Sequence, residues 1–237
     1  MRPLETPIDE GDGPPIVLLH GYAMRPDTYA PLVRLLTPHC RVVVPDLFAV
    51  RGAWRYTDVL NAFVSALDEL GLRRVTLLGH SFGGALELDF AAKFPHRVVE
   101  LVFSDTLAVS REWTLAREAT RHPLGLAHLA TPRAITAFGR NWLTHPRQLV
   151  DAAWWAFTEG REGDISSVAR AGLPAHVLWA NRDSVLSQPD GREFAEELHA
   201  TFTVAGGPGH IDHDWMFQQP EVFFEHLEKL GLKVLAP

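Results

Sequence analysis

The sequence predicts an α/β fold: a mostly parallel, twisted sheet flanked by helices, with a helical insertion between two core strands. Three observations carry this expectation. First, short apolar runs recur at Ile16 to Leu19, Arg41 to Val44, Val75 to Leu78, Val98 to Phe103, His176 to Ala180 and Thr201 to Val204. They lack the polar alternation of a half-wet strand, so they read as strands covered on both faces, the habit of parallel sheets. Second, the segments between them have helical spacing. Val59, Leu60, Phe63, Val64, Leu67 and Leu70 line one helix that stops at Gly71. Val222, Phe223, Leu227 and Leu230 line another, with Pro220 near its start and Gly231 at its end. Third, the alternation of strand and helix, which builds a layered α/β core, breaks once. From Leu107 to about Gly172 there are only helix-like stretches, punctuated by Pro123, Pro132, Pro146 and Gly160.

An all-helical insertion of this kind reads as a cap, and a cap covers a site. The expected organisation is one structural domain, with a core over 1–106 and 173–237 and a cap over 107–172. The chain has 237 residues, 46% hydrophobic and 22% charged, enough to bury a core of its own. Its formal charge of −7, without a basic stretch, argues against nucleic acid or an anionic membrane as partner. Cys40 is the only cysteine, which excludes an intrachain disulfide framework and a cysteine-based zinc ribbon or finger. The first 13 residues hold no apolar core of a signal peptide. No apolar run reaches the ~18–20 residues of a membrane helix. The expectation is a soluble cytoplasmic protein, monomer or homodimer.

The strongest local signal is Val75-Thr-Leu-Leu-Gly79-His80-Ser81-Phe82-Gly83-Gly84. G-x-S-x-G alone is a weak pattern. Here an apolar strand runs straight into it, and Ala85, Leu86, Leu88, Phe90, Ala91 and Ala92 continue as a helix. A strand–turn–helix of this type lifts a serine Oγ above the sheet edge, and glycines on both sides permit the strained turn. Neither a GxxxxGK[ST] phosphate loop nor a dinucleotide GxGxxG competes with it.

With these residues the chain resembles the α/β-hydrolase family, in particular its cap-bearing serine esterase-like branch. The likeness also rests on Ile16-Val-Leu-Leu-His20-Gly21-Tyr22 and on Val44-Pro45-Asp46-Leu47. It departs at Phe48-Ala-Val-Arg-Gly52, where the family carries a glycine-rich loop, and the family's first hairpin is shortened. The resemblance implies an α/β-hydrolase fold with Ser81 as nucleophile, no cofactor, and an oxyanion hole from the backbones of Tyr22 and Phe82. His20 is then an organiser of its loop. In this fold the acid follows the serine and the histidine follows the acid. Val177-Leu-Trp-Ala-Asn181-Arg182-Asp183 is similar to the family's strand-then-acid segment, which points to Asp183; Asp190 and Asp105 are weaker candidates.

Two histidines compete for the base. His210 follows a glycine, as the family's catalytic histidine often does, whereas His213 stands seven residues before Pro220-Glu221, the family's usual gap. The gap favours His213 and leaves His210 as the alternative. The same His-x-Asp-His cluster invites a metal reading, but further closely spaced ligands are missing, so no metal is expected. Met24 near the nucleophile, and Phe138, Trp142, Trp154 and Trp155 in the insertion, are expected to line the pocket. The expected activity is hydrolysis of small to medium apolar carboxylic esters, with lactones included, on a small-molecule substrate. The same triad could serve a hydroxynitrile lyase, a perhydrolase or a carbon–carbon bond hydrolase, and a non-catalytic receptor could keep the fold.

Overall fold

The computed structural model describes residues 2–107, 130–206, 209 and 211–235. Seven strands form one sheet among these residues: β1 (Ile8–Glu10), β2 (Pro15–Leu19), β3 (Arg41–Val44), β4 (Val75–His80), β5 (Val98–Ser104), β6 (Ala175–Trp179) and β7 (Thr201–Val204). Their order is β1-β3-β2-β4-β5-β6-β7. All neighbours run parallel except β1, which pairs antiparallel with β3 at Ile8 with Val44. The six apolar runs are the six parallel strands. The extra strand, β1, has three residues, too few for any periodicity to register.

Strand side chains alternate between faces, so the sheet feeds two cores. Val17, Leu19, Leu77, Phe103 and Val177 join one, under α2 (Tyr56–Glu69) and α3 (Phe82–Lys93). Ile16, Leu18, Leu78, Val102 and Leu178 join the other, beneath α1 (Ala30–Leu36). The two faces are covered because both are apolar, which is why the strands read as continuous hydrophobic runs.

Between β5 and β6 lie three described helices, α4 (Pro132–Thr144), α5 (Pro146–Thr158) and α6 (Glu162–Ala171). Pro132 and Pro146 each sit at a helix start, where a missing N–H costs nothing. The Thr131 hydroxyl caps α4 by accepting from Ala134 N–H at 3.2 Å. Trp155 of α5 anchors this segment: it stacks on Tyr56 at 5.0 Å, and Arg161 lies 4.4 Å over its ring. The remaining helices are α7 (Gln188–Leu198), the short α8 (Trp215–Gln218) and α9 (Pro220–Leu230). The last two pack on the α1 side. No helix among the described residues is long and apolar enough to cross a membrane.

Candidate active site

Ser81 sits where β4 ends and α3 begins, at φ 51° and ψ −115°. A non-glycine residue holds such a backbone only when its surroundings fix it, at a cost of about 1–3 kcal/mol. The surroundings do so. Ser81 N–H donates to the Ser104 carbonyl at 3.0 Å, and the Ser81 carbonyl accepts from Gly84 and Leu107 N–H, each at 3.0 Å. The turn is also too tight for side chains: a Cβ at Gly83 would run into the Leu19 carbonyl, and one at Gly79 would lie 2.6 Å from Gly84 Cα.

The turn presents Ser81 Oγ to His213, whose Nε2 lies 2.9 Å away. On the other side of the ring, His213 Nδ1 is 3.0 Å from Asp183 Oδ2. The second oxygen of Asp183 accepts from Val185 and Leu186 N–H at 2.8 and 2.9 Å. Asp212 ties the Asp183 turn to the His213 loop, accepting from Ser184 N–H and Oγ, both at 2.9 Å, and from His213 N–H at 2.6 Å. Burial opposes charge on the His213 imidazole, but Asp183, with Asp214 and Asp105 nearby, outweighs it and raises the imidazolium above the ordinary histidine range.

Asp105, at the end of β5, is brought into the same neighbourhood but not onto the imidazole. Its oxygens accept from Ala180 N–H at 2.7 Å, Ser104 Oγ at 2.8 Å and Trp215 Nε1 at 2.6 Å. Burial and the adjacent Asp183 push its carboxyl well above the usual range. Asp190 opens α7. His210 lies outside the described residues. Among the described residues, two triples bring candidate metal-ligating atoms within 4.8 Å of one another, His80–His213–Asp214 and Asp105–Asp183–His213. Both include His213, whose ring nitrogens are already engaged by Ser81 and Asp183.

A residue that the sequence did not single out, His80, is fully buried beside Ser81. Its Nδ1 lies 2.7 Å from Tyr29 Oη, and its Nε2 lies 2.9 Å from the His213 carbonyl. Gly21 N–H donates to Tyr29 Oη at 2.9 Å. A carbonyl can only accept, so Nε2 carries the proton and Nδ1 accepts from the phenol. Burial, reinforced by His213, pushes the His80 imidazolium down to about 3, so the ring is neutral. His20 is likewise buried and held neutral by its burial, with Nε2 accepting from Leu47 N–H at 3.0 Å. Only the pairing of Tyr29 with Gly21 across eight residues could have revealed the His80 chain, and no periodicity encodes it.

The backbone N–H groups of Tyr22 and Phe82 have no acceptor among the described residues. Above Ser81 opens a cavity of about 540 Å³, lined by Tyr22, Met24, Ile135, Phe138, Val185 and Asp214 among others. Trp142, Trp154 and Trp155, expected here, are not among its described lining. Trp155 is 7% exposed and faces the core, so its neighbour Trp154, about 100° round the helix, is 73% exposed to solvent. Trp142 lies one turn beyond Phe138, packed against the core.

The model of the alpha/beta hydrolase fold family matches residues 14–124, which hold the His20-Gly21 loop and the Ser81 turn. The chain has the α/β-hydrolase fold. The chain is 39% identical over 116 residues to the 2-hydroxy-6-oxo-2,4-heptadienoate hydrolase of Pseudomonas putida, covering 45% of the chain and 42% of that relative. It is 35% identical over 123 residues to a haloalkane dehalogenase of Sphingobium indicum, covering 45% and 40%. The chain therefore spans less than half the length of these two relatives. Among solved structures, a thermophilic esterase from Thermogutta terrifontis superposes with a TM-score of 0.77 at 21% identity, over 98% of this chain and 94% of that one.

Proposed function

We propose that the chain is an α/β hydrolase that cleaves neutral carboxylic esters, lactones included, of small to medium apolar acyl or alcohol groups. What carries the reading is the unbroken chain from Ser81 Oγ through the imidazole of His213 to the Asp183 carboxylate, at 2.9 and 3.0 Å. In this mechanism Ser81 Oγ attacks the carbonyl carbon while His213 Nε2 takes its proton. The developing oxyanion draws on the unengaged N–H groups of Tyr22 and Phe82. His213 then returns the proton to the leaving alcohol, and water activated by the same ring clears the acyl-enzyme. All proton transfers run among Ser81, His213, the leaving alcohol and water, so the reaction calls for no cofactor. A serine in the nucleophile's place, rather than an aspartate, speaks against dehalogenation.

The relative from Pseudomonas putida supports a second reading, hydrolysis of a carbon–carbon bond in an anionic dienoate. The cavity argues for the ester: its described lining is mostly apolar, with Asp214 as its carboxylate and no Lys or Arg. A fluorophosphonate probe should label the protein, and peptide mapping should place the adduct on Ser81. p-Nitrophenyl esters of two to eight acyl carbons should turn over far faster than a 2-hydroxy-6-oxo-dienoate. The opposite order supports the second reading, and saturable binding with negligible turnover of either supports a receptor.

In the same reading, 107–172 is a cap that shapes the pocket through α4. Phe138→Ala should therefore shift the preferred acyl length. Trp155→Ala should instead cost about 3–5 kcal/mol of stability, with relative kcat/KM across the ester series unchanged. An altered series in Trp155→Ala and an unaltered one in Phe138→Ala would reverse these assignments.

A further inference from the structure

The loop from Gly21 to Arg25, which supplies one oxyanion donor in the proposed mechanism, has little to hold it from within. Its internal hydrogen bond runs from Met24 N–H to the Gly21 carbonyl at 3.1 Å. Ala23 stands at φ 58°, in the left-handed region that a residue with a Cβ adopts only when neighbours fix it.

The fixing groups come from the inserted helices. Asn141 of α4 is fully buried and reaches across to this loop. Its amide donates to the Ala23 carbonyl at 3.0 Å and to the Met24 carbonyl at 2.7 Å. Its Oδ1 accepts from Arg25 Nη1 at 3.3 Å. Two carbonyls require the NH₂ and one guanidinium requires the oxygen, so the amide has a single orientation. From α5, the Leu149 carbonyl accepts from Tyr22 Oη at 2.9 Å. The main chain carrying the Tyr22 N–H is thus braced on both sides by segments more than 100 residues away.

We propose that Asn141 is a positioning residue that holds the Tyr22 N–H on the oxyanion, which makes the inserted helices part of the reaction's scaffold. The inference rests on the serine ester hydrolase reading above. It differs from a packing role, because what Asn141 fixes is the direction of a donor that acts only when negative charge develops on the substrate oxygen.

Asn141→Asp tests it. The substitution keeps the side-chain shape and the acceptor for Arg25, but turns an oxygen toward two carbonyls. Removing an oxyanion donor costs ~10²–10³ in rate, so displacing one should lower kcat by about 10–100-fold. KM should stay within about threefold, since ground-state contacts are untouched. The kcat/KM ratio of an ester to its thiono analogue should also shrink, because sulfur draws little from the hydrogen-bond donors that favour oxygen. A merely structural role would lower the thermal midpoint and leave that ratio alone. If Asn141→Asp does not fold, Asn141→Ala is read by the same ratio. An unchanged kcat and ratio in the folded variant, beside an inert Ser81→Ala, overturns this inference alone. Turnover surviving in Ser81→Ala overturns the serine reading and this inference with it.

Discussion

Ser81→Ala is expected to reduce ester turnover by a factor on the order of 10⁶, the loss typical when a nucleophile of this kind is removed. Alanine keeps the Cβ, so the strained backbone at φ 51° and the hydrogen bonds around it are retained, and the thermal midpoint should barely move. His213→Ala should be about as severe, and the double variant little worse than either single one, because the residues act as a unit. His80 cannot stand in for the missing base. One of its nitrogens is committed to Tyr29 and the other to the His213 carbonyl. Steady-state kinetics on the three folded variants check this. Near-wild-type turnover in Ser81→Ala would sink the mechanism, and a mild His213→Ala beside a severe His210→Ala would move the base to His210.

The second large effect belongs to Asp183→Asn, for which about a 10⁴-fold fall in kcat is expected from the general behaviour of such triads. The geometry says why. One carboxylate oxygen accepts from Val185 and Leu186 N–H, so the asparagine oxygen must take that place. Its NH₂ then faces His213 Nδ1 and donates to it. The imidazole must carry its proton on Nε2, the nitrogen that should receive the proton of Ser81.

The pH profile should change as well. Protonated His213 cannot act as a base, so activity is present above the imidazolium pKa and lost as pH falls through it. Asp183 raises that pKa, which sets the acid limb of the wild-type profile above the ordinary histidine range. Without the carboxylate, burial dominates and the limb of the residual activity should move to lower pH. A limb that stays in place, or a larger loss in Asp105→Asn than in Asp183→Asn, would assign the orienting charge to Asp105.

The parallel core was legible because its inner strands are buried on two faces, and that burial writes an unbroken apolar run into the chain, whereas β7 at the edge reads the same way yet is only half-buried. The serine turn was legible because its sterics are local: Gly83 and Gly79 are needed within two residues of Ser81. The long-range pairings were less so. Spacing to Pro220 pointed at His213, but its contact with Ser81 spans 132 residues and had to be seen in three dimensions. Tyr29, His80 and Asn141 carry no pattern, since Tyr29 and His80 meet each other across 51 residues and Asn141 meets the Ala23 and Met24 carbonyls across 118 and 117. The tryptophans were less legible for a different reason. An aromatic residue in a helix is equally able to face a pocket, the core or water, and the phase that turns Trp155 to the core and Trp154 to solvent is set by packing that sequence spacing does not show.

The separation of Ser81 and His213 also bears on when chemistry can begin. During synthesis the serine turn emerges early, with β2, β4 and α3 able to pair before the insertion is made. His213 arrives 132 residues later, on a loop that lies beyond β6 and beside α8 and α9, which pack on the α1 side. Contacts so distant in sequence form late, because the intervening chain must be ordered first. In the proposed mechanism Ser81 gains the imidazole that takes its proton only when these distant parts of the chain have come together, so a probe of Ser81 nucleophilicity should report on completion of the fold as well.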